Sequence, residues 1–378
     1  MHKHIAMTHK HLSILSTLLL FFIPTVYSQQ SSPSELVEQG RNAERLALLD
    51  RAETYYREAL SLQPDYADAA LPLGILLERR EAYDEAISTL ACCHSAEGYA
   101  HRAACMAEMQ LWDSAAAIAA LAIEAGASAS PLSTMALCES ARGHQTNAHS
   151  WAQRAIDADP SNAHCHNVMG IVCYKKGADA EALRHFKKAV ALDSTDVDSY
   201  YNLGTMYYLR GNSTSAISTL KKALVSHPKS KKLYRSLGHA YRLRGDSQKA
   251  IQCFETILQL DSTDLAAYTS LGDLLRDKGE YDHAQAYYSK AIHINPKYTP
   301  AHKALGHNYT LWGDYTKALR SYQKAIQSDP EDSETYLLMA DLYNRQGNLQ
   351  REQNSYKKAA KLGNHQAQAW MVKKGLSW

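Results

Sequence analysis

The chain has 378 residues, of which 45% are hydrophobic and 21% are charged, with 41 Lys and Arg against 39 Asp and Glu. Residues 1–28 carry two of the lysines and no acid, so the remainder holds 39 basic and 39 acidic residues and has a formal net charge of zero. This balance excludes the strongly basic character of typical nucleic-acid-binding domains, and no nucleic-acid partner is expected.

Residues 1–28 are typical of a secretory signal peptide. Two lysines precede an apolar run at residues 12–26, and Val26 and Ser28 are small residues at the −3 and −1 positions of a cleavage before Gln29. The run is shorter than the roughly 20 apolar residues that a membrane-spanning helix needs. The sequence therefore predicts cleavage and export to the periplasm or the extracellular space. The alternative is an uncleaved leader that anchors the chain in a membrane.

A strict internal repeat organises the rest of the chain. Glycines recur every 34 residues, Ala340 takes the next place in the series, and alanines follow the glycines twelve residues later. The two series are Gly204, Gly238, Gly272 and Gly306, and Ala216, Ala250, Ala284 and Ala318. A fixed period of this length indicates a stack of repeated structural units.

The unit at residues 265–298 shows what each repeat contains. An apolar stripe at helical spacing predicts a helix over residues 266–278, which Gly279 ends because glycine adopts the left-handed conformation without strain. A second amphipathic helix is predicted over residues 282–294, and Pro296 stops it. Each repeat is therefore predicted to be a hairpin of two helices.

Small residues are predicted to mark the crossing point of each hairpin. Gly272 on the first helix is expected to face Ala284 on the second, where only small side chains allow close approach. Tyrosines are expected to pack between neighbouring hairpins, where they bury a large area. One hairpin cannot bury its own apolar face, so stacking is obligatory.

One repeat carries a recognisable set of residues in order. The set is Tyr234, Leu237, Gly238, Tyr241, Ala250 and Phe254. It resembles the tetratricopeptide repeat (TPR) family, and the resemblance is specific because it recurs in register many times. It implies an all-α fold, a right-handed α-solenoid of about ten helix-turn-helix hairpins.

Ten such units fit residues 33–366, followed by a capping helix at residues 367–378. The units begin near Pro33, Ala67, Ala96, Ala129, Ala163, Val197, Lys231, Leu265, Thr299 and Ser333. The second unit is short, and the third is poor in aromatic residues. The third is either a degenerate repeat that still packs or a hinge between two arrays.

Charge divides the predicted array into two parts. Residues 29–162 have a net charge of −10, and residues 163–378 have a net charge of +10. We therefore separate acidic units one to four, at residues 33–162, from basic units five to ten, at residues 163–366. The asymmetry reflects either two differently solvated surfaces or a bipolar molecule that has two partners or associates with itself.

The sequence shows no arrangement that indicates catalysis or metal binding. Seven cysteines allow disulfides in an exported protein, but most occupy small apolar positions, which favours buried thiols. The histidines lack metal-ligand spacing, because His164 and His166 lie on different faces of one helix. We expect no enzymatic activity, no cofactor and no metal.

The resemblance implies that a partner binds the concave wall formed by the first helix of each unit. The residues expected to face this wall are Tyr201, Thr205, Tyr208, Lys232, Arg235, His239, Arg242, Arg276, Lys303 and His307. They predict a basic lane, interrupted by Asp198 and Asp273, that holds an acidic peptide or an acidic protein segment. The alternative is a solvated surface with nothing bound.

We interpret the chain as a non-catalytic protein–protein interaction scaffold of the cell envelope. The alternative is an accessory subunit of an envelope enzyme or assembly complex. Two glycosylation sequons are present, and the one at Asn308 is predicted to lie within a helix beside core residue Tyr309. A bulky glycan is incompatible with that position, which favours a bacterial periplasm.

Overall fold

The computed structural model describes residues 31–378, and the predicted signal peptide lies outside these residues. Within the described range the chain forms 21 α-helices, one 3₁₀ turn and no strand. The first helices of the ten units are α1 (Pro33–Arg45), α3 (Ala67–Arg79), α5 (Ala96–Glu108), α7 (Ala129–Ala141), α9 (Ala163–Lys175), α11 (Val197–Leu209), α13 (Lys231–Arg244), α15 (Leu265–Asp277), α17 (Thr299–Trp312) and α19 (Ser333–Arg345). The second helices are α2 (Leu49–Leu62), α4 (Tyr83–Thr89), α6 (Trp112–Glu124), α8 (Gln145–Ala158), α10 (Asp179–Leu192), α12 (Ser213–Ser226), α14 (Ser247–Leu260), α16 (Tyr281–Ile294), α18 (Tyr315–Ser328) and α20 (Leu349–Lys361). The last helix is α21 (His365–Lys373), and no helix among the described residues is long and apolar enough to span a membrane.

The all-α fold of repeated hairpins is confirmed, and a first helix begins at each residue where a unit was placed, although α15 begins at Leu265 and not at residue 266. Short polar side chains placed just before several of these helices explain the sharp starts. Ser32 forms a capping box with Glu35, and the Asp264 side chain accepts a hydrogen bond from the backbone N–H of Ala267. Such caps satisfy amide groups that have no partner within the helix.

The first helix of the unit at residues 265–298 ends before Gly279, as the sequence predicts. Gly279 follows α15 with φ +80° and thereby turns the chain into the second helix. In the first three units this place is taken by Ala47, Glu81 and Gln110, which adopt φ values of 56°, 61° and 60°. These three residues hold a conformation that glycine adopts more easily.

Gly272 was predicted to face Ala284, but the side chain nearest to it is that of Tyr288, so the predicted partner is wrong. A Cβ atom on Gly272 would lie 2.5 Å from the ring of Tyr288, so the glycine makes room for an aromatic side chain of the same hairpin. Ala284 is also fully buried. The spacing of sixteen residues recurs as Gly40 with Tyr56, Gly170 with Phe186, Gly238 with Phe254 and Gly306 with Tyr322. Each of these glycines therefore leaves room for an aromatic ring of its own hairpin. Tyr288 thus packs within a hairpin and not only between hairpins.

The described chain separates into two compact units, which meet in sequence at Gly143 and His144. In the unit that ends at Gly143, hairpins stack through contacts of α1 with α3, α3 with α5 and α5 with α7. The short second repeat is explained by α4, which has seven residues and continues as the 3₁₀ turn Leu90–Cys92. The degenerate third repeat forms both of its helices, and they pack through Met106 and Ala115. The division by charge at residue 162 and the hinge remain predictions.

In the unit that begins at His144, hairpins stack from α8 to α21. Each second helix contacts the first helix of the next repeat, as α12 does with α13 and α16 with α17. The terminal helix α21 buries Met371, and Trp370 stacks on Tyr356 with ring centroids 4.0 Å apart. It spans His365–Lys373 and ends before Gly375 at φ +67°, so it is shorter than the capping helix predicted for residues 367–378.

Candidate partner-binding surface

We use the name first-helix wall for the row of first helices α11, α13, α15 and α17. Within the unit that begins at His144, α11 contacts α13 and α15 contacts α17 along this row. Ion pairs join α13 to α15, so all four helices are connected. The row carries every side chain that the sequence predicted for the binding surface.

Aromatic side chains gather where α11 meets α13. Tyr208 and His239 lie with ring centroids 6.5 Å apart, and the ammonium group of Lys232 lies 4.4 Å from the Tyr201 ring centroid. Thr205 lies half-buried one turn along α11 from Tyr201. Cation–π contact of this kind holds the lysine stem flat against the ring. The aromatic residues that were predicted for one end of the lane therefore lie close together.

His239 is an aromatic member of this cluster and not a cation. Its ring packs edge-on against Phe254, with centroids 5.4 Å apart. Burial lowers its pKa below the usual range, and the charges of Arg242 and Arg235 lower it further. The imidazole is therefore neutral near pH 7, which corrects its place in a basic lane.

The arginines of α13 are already paired with acids of α15. Arg235 donates from Nη2 to Oδ2 of Asp264 at 2.7 Å, while Arg242 pairs with Asp277. The Nε atom of Arg235 is buried and has no hydrogen-bond partner among the described residues. Arg235 thus keeps unused donor capacity although its charge is balanced.

Arg276 on α15 is held inside the wall. Its Nη1 atom donates to Oδ1 of Asp273 at 2.6 Å, and only 10% of its side chain is exposed. The hydroxyl group of Tyr288 donates to the same Asp273 atom at 2.8 Å. Burial, followed by the charge of Asp273, raises the pKa of Tyr288. Arg276 therefore belongs to a packed network and offers little surface to a partner.

Lys303 and His307 on α17 complete the predicted set. The Lys303 ammonium group lies 3.3 Å from Oδ2 of Asp332 and 2.5 Å from Oε2 of Glu334. Burial lowers the pKa of His307, and the charge of Arg276 lowers it further. The structure therefore brings the predicted residues onto one row but balances most of their charges.

Sequence reasoning named Asp198 and Asp273, which pair with Lys232 and Arg276, but missed the acids that cap the helices. Asp264 and Asp332 both cap the start of a first helix, and each pairs with a cation of the preceding repeat, Arg235 or Lys303. The two pairs are related by two repeats of 34 residues. Aligning the helix-capping residues with the 34-residue repeat would have revealed these ion pairs, because the caps lie at the interface between units.

Comparisons with known proteins identify the repeats. Profiles described as tetratricopeptide repeat or TPR repeat match several parts of the chain and together span more than half of it. The matched residues are 37–91, 170–211, 198–230, 233–265, 266–298, 306–347 and 333–362. A comparison with curated proteins found none that matches.

Solved structures resemble the chain in fold. A tetratricopeptide repeat protein from Parabacteroides merdae is 19% identical with a TM-score of 0.55, over 64% of this chain and 96% of that one. Yeast Tom70 is 14% identical with a TM-score of 0.56, over 91% and 88%. A chain of the APC/C hetero-tetramer Cut9–Hcn1 is 15% identical with a TM-score of 0.53, over 97% and 81%. At these identities the likeness shows the fold alone.

Proposed function

Because this chain belongs to the tetratricopeptide repeat family, whose fold supports protein–protein interaction, we propose that it is a non-catalytic scaffold. Its partner is a protein or peptide segment that lies along the first-helix wall. The observation that carries the proposal is the aromatic cluster of Tyr201, Tyr208 and His239 beside ordered cations. Clusters of aromatic and arginine side chains are the usual anchors of protein interfaces.

The partner segment combines an apolar anchor with hydrogen-bond acceptors or acids. Tyr201 and Tyr208 receive the apolar side chain, and Arg235 and Arg242 donate to carboxylate or carbonyl oxygens. The donors are held in place by Asp264 and Asp277, so little side-chain freedom is lost on binding. An acidic segment, including one from the acidic repeats of a second copy, fits the net charge of +10 on residues 163–378.

The test is capture of partners from an extract of the native host, followed by affinity measurement on the recovered segment. Tyr208→Ala and Arg242→Ala each remove one anchor, and we expect binding about tenfold weaker or worse for each. Arg320→Ala is the matched control, because Arg320 is an exposed arginine on the second helix α18. Equal affinity of the parent and both wall variants would reject the wall as the binding site.

Salt dependence separates an acidic partner from a neutral one. Exposed charges are screened by salt, so binding of an acidic segment weakens as ionic strength rises, and Arg242→Ala reduces that dependence. Sedimentation of the chain alone in the same buffers examines self-association. Affinity that is unaffected by salt would contradict an acidic partner.

We propose in addition that the chain is exported and that its leader is cleaved before Gln29. The support is the order of lysines, apolar run and small residues within residues 1–28. Asn308 is fully buried, and its Nδ2 donates to the carbonyl oxygen of Tyr281 at 3.0 Å, so a glycan there would disrupt the fold. N-terminal sequencing of protein from the native host tests the cleavage, and an intact Met1 would reject it.

A further inference from the structure

A recurrent slot lies between neighbouring repeats in the unit that begins at His144. It is formed by the eleventh and nineteenth residues of one repeat, together with the twenty-first residue of the repeat before it. In three repeats the eleventh residue is aromatic and the nineteenth is a cation that covers its ring. The charged group lies 5.4 to 5.8 Å from the ring centroid. These pairs are Tyr241 with Lys249, Tyr309 with Lys317 and Tyr343 with Arg351.

The fifth repeat fills the same slot with different chemistry. Cys173 replaces the aromatic residue, Glu181 replaces the cation, and His149 of α8 occupies the place that Ile217 holds before the seventh repeat. The potential ligand atoms of these three side chains all lie within 4.8 Å of one another. Three helices, α8, α9 and α10, thus bring a thiol, a carboxylate and an imidazole to one point.

The three side chains form a partly buried cluster. Cys173 is fully buried, and burial together with the charge of Glu181 raises the pKa of its thiol to about 11. Glu181 accepts a hydrogen bond from Nη2 of Arg184 at 3.2 Å. His149 and Glu181 are half-buried, so solvent reaches the edge of the cluster.

A neighbouring histidine, His185, adds no positive charge near the cluster. His185 lies one turn from Glu181 on α10, and burial, with neighbouring His166, lowers its pKa to about 4. The Nδ1 atoms of His185 and His166 are 3.2 Å apart, and Nε2 of His166 donates to the carbonyl oxygen of Pro160 at 3.2 Å. His185 is therefore neutral near pH 7 and does not repel a cation.

We propose that His149, Cys173 and Glu181 form a Zn²⁺ site, with a water molecule as the fourth ligand. Sulfur, nitrogen and oxygen ligands together match Zn²⁺, whereas Mg²⁺ and Ca²⁺ require oxygen ligands. One thiolate and one carboxylate balance the two charges of the ion, which suits a partly buried site. The ion joins α8 to the fifth hairpin.

Binding converts the Cys173 thiol to a thiolate. The S–H proton leaves to solvent and a zinc–sulfur bond forms, while the Glu181 carboxylate and the His149 imidazole displace water molecules from the ion. Because a proton is released, zinc affinity rises with pH. Sequence spacing predicted no metal because the three ligands lie on three different helices, far apart in the chain.

The test is titration of the purified, metal-stripped full chain with Zn²⁺ against a chromophoric chelator, with Co²⁺ as a spectroscopic probe. We expect one Zn²⁺ per chain and a thiolate-to-cobalt charge-transfer band in the near ultraviolet. Cys173→Ser and His149→Gln should each weaken Zn²⁺ binding by about tenfold or more, and Cys173→Ser should also remove the band. Far-ultraviolet circular dichroism of both variants confirms that they remain folded.

Matched cysteine variants separate this site from adventitious thiol binding. Cys253→Ser removes a buried thiol whose pKa is raised by burial alone, and Cys92→Ser combined with Cys93→Ser removes two adjacent thiols. Both should bind Zn²⁺ as the parent does. The proposal is overturned if the folded parent binds no Zn²⁺, if Cys173→Ser and His149→Gln bind it unchanged, or if loss of Cys92 and Cys93 abolishes binding.

Discussion

At the scale of single residues, the fit between a glycine and a ring decides how tightly each hairpin closes. A Cβ atom on Gly272 would lie 2.5 Å from the buried ring of Tyr288, whose hydroxyl group is fixed by Asp273. A Cβ atom on Gly204 would meet the Leu220 side chain at 2.7 Å. A leucine can change rotamer, whereas a hydrogen-bonded ring cannot move without breaking its contacts.

We therefore expect Gly272→Ala to destabilise the chain by roughly 1–3 kcal/mol and Gly204→Ala to destabilise it less. Thermal melting followed by circular dichroism measures the difference. The double variant Gly272→Ala with Tyr288→Leu should recover part of the loss that the first change causes. Equal melting temperatures for the two glycine variants would show that the ring does not limit the approach of the helices.

A second residue-scale prediction concerns pH. The side chains of His101 and Glu78 lie 2.6 Å apart, and this hydrogen bond raises the pKa of His101. The charged histidine is thus favoured in the folded state, so its stabilising effect is complete below the unfolded pKa of about 6.5. It is lost as the pH rises through the raised folded value.

The variant His101→Gln should therefore lose most stability relative to the parent in mildly acidic solution. Urea unfolding of both proteins, measured from about pH 5.5 to about pH 8.5, should show a difference that shrinks with increasing pH. A comparison of the two proteins is required because other histidines titrate as well. A difference that grows with pH would mean that the pair does not favour the charged imidazole.

At the scale of helices, the turns between paired helices in the first three repeats differ from those in the later repeats. Gly279 takes φ +80°, while Ala47 and Gln110 take φ 56° and 60° at equivalent places. The left-handed conformation costs about 1–2 kcal/mol for a residue with a side chain, and glycine loses more freedom on folding. Ala47→Gly and Gln110→Gly should each stabilise the chain by about 0.5–1 kcal/mol, measured by urea unfolding.

The reverse change provides the control for these turns. Gly279→Ala places a side chain in the same conformation and should lower stability by a similar amount. Nothing lies within 4 Å of a Cβ atom at Gly279, so its effect reports the backbone conformation and not a clash. If Ala47→Gly destabilises the chain, freedom in the unfolded state outweighs relief of the left-handed turn.

The 34-residue period explains why the helices could be predicted so well. Caps, glycines and prolines act locally, so the start of α15 at Leu265 and its end before Gly279 follow from neighbouring residues. Contacts across the stack could not be read in this way. The ring over Gly272, the acid beside Arg235 and the meeting of His149 with Cys173 depend on distances between helices that no local pattern records.

At the scale of the whole molecule, the stacking of hairpins determines how many repeats a local destabilisation affects. Within the unit that begins at His144, α15 contacts its own hairpin partner α16 and the neighbouring helices α14 and α17. In such an array stability is approximately a sum of repeat and nearest-neighbour contributions. A local defect therefore loosens adjacent hairpins before it affects distant ones.

The variant Gly272→Leu gives the strongest test of this locality, because a larger side chain forces the hairpin of α15 and α16 apart. We expect amide hydrogen exchange to rise in α14 to α17 while α9 and α10 keep the protection they have in the parent. The folded fraction judged by circular dichroism should fall only in proportion to the loosened helices. Gly170→Leu is the matched variant, since a Cβ atom on Gly170 would lie 2.5 Å from the ring of Phe186. The Gly170→Leu variant should raise amide hydrogen exchange in α9 and α10 and leave α15 and α16 protected. Uniform loss of protection in both variants would mean that the hairpins unfold as one cooperative block.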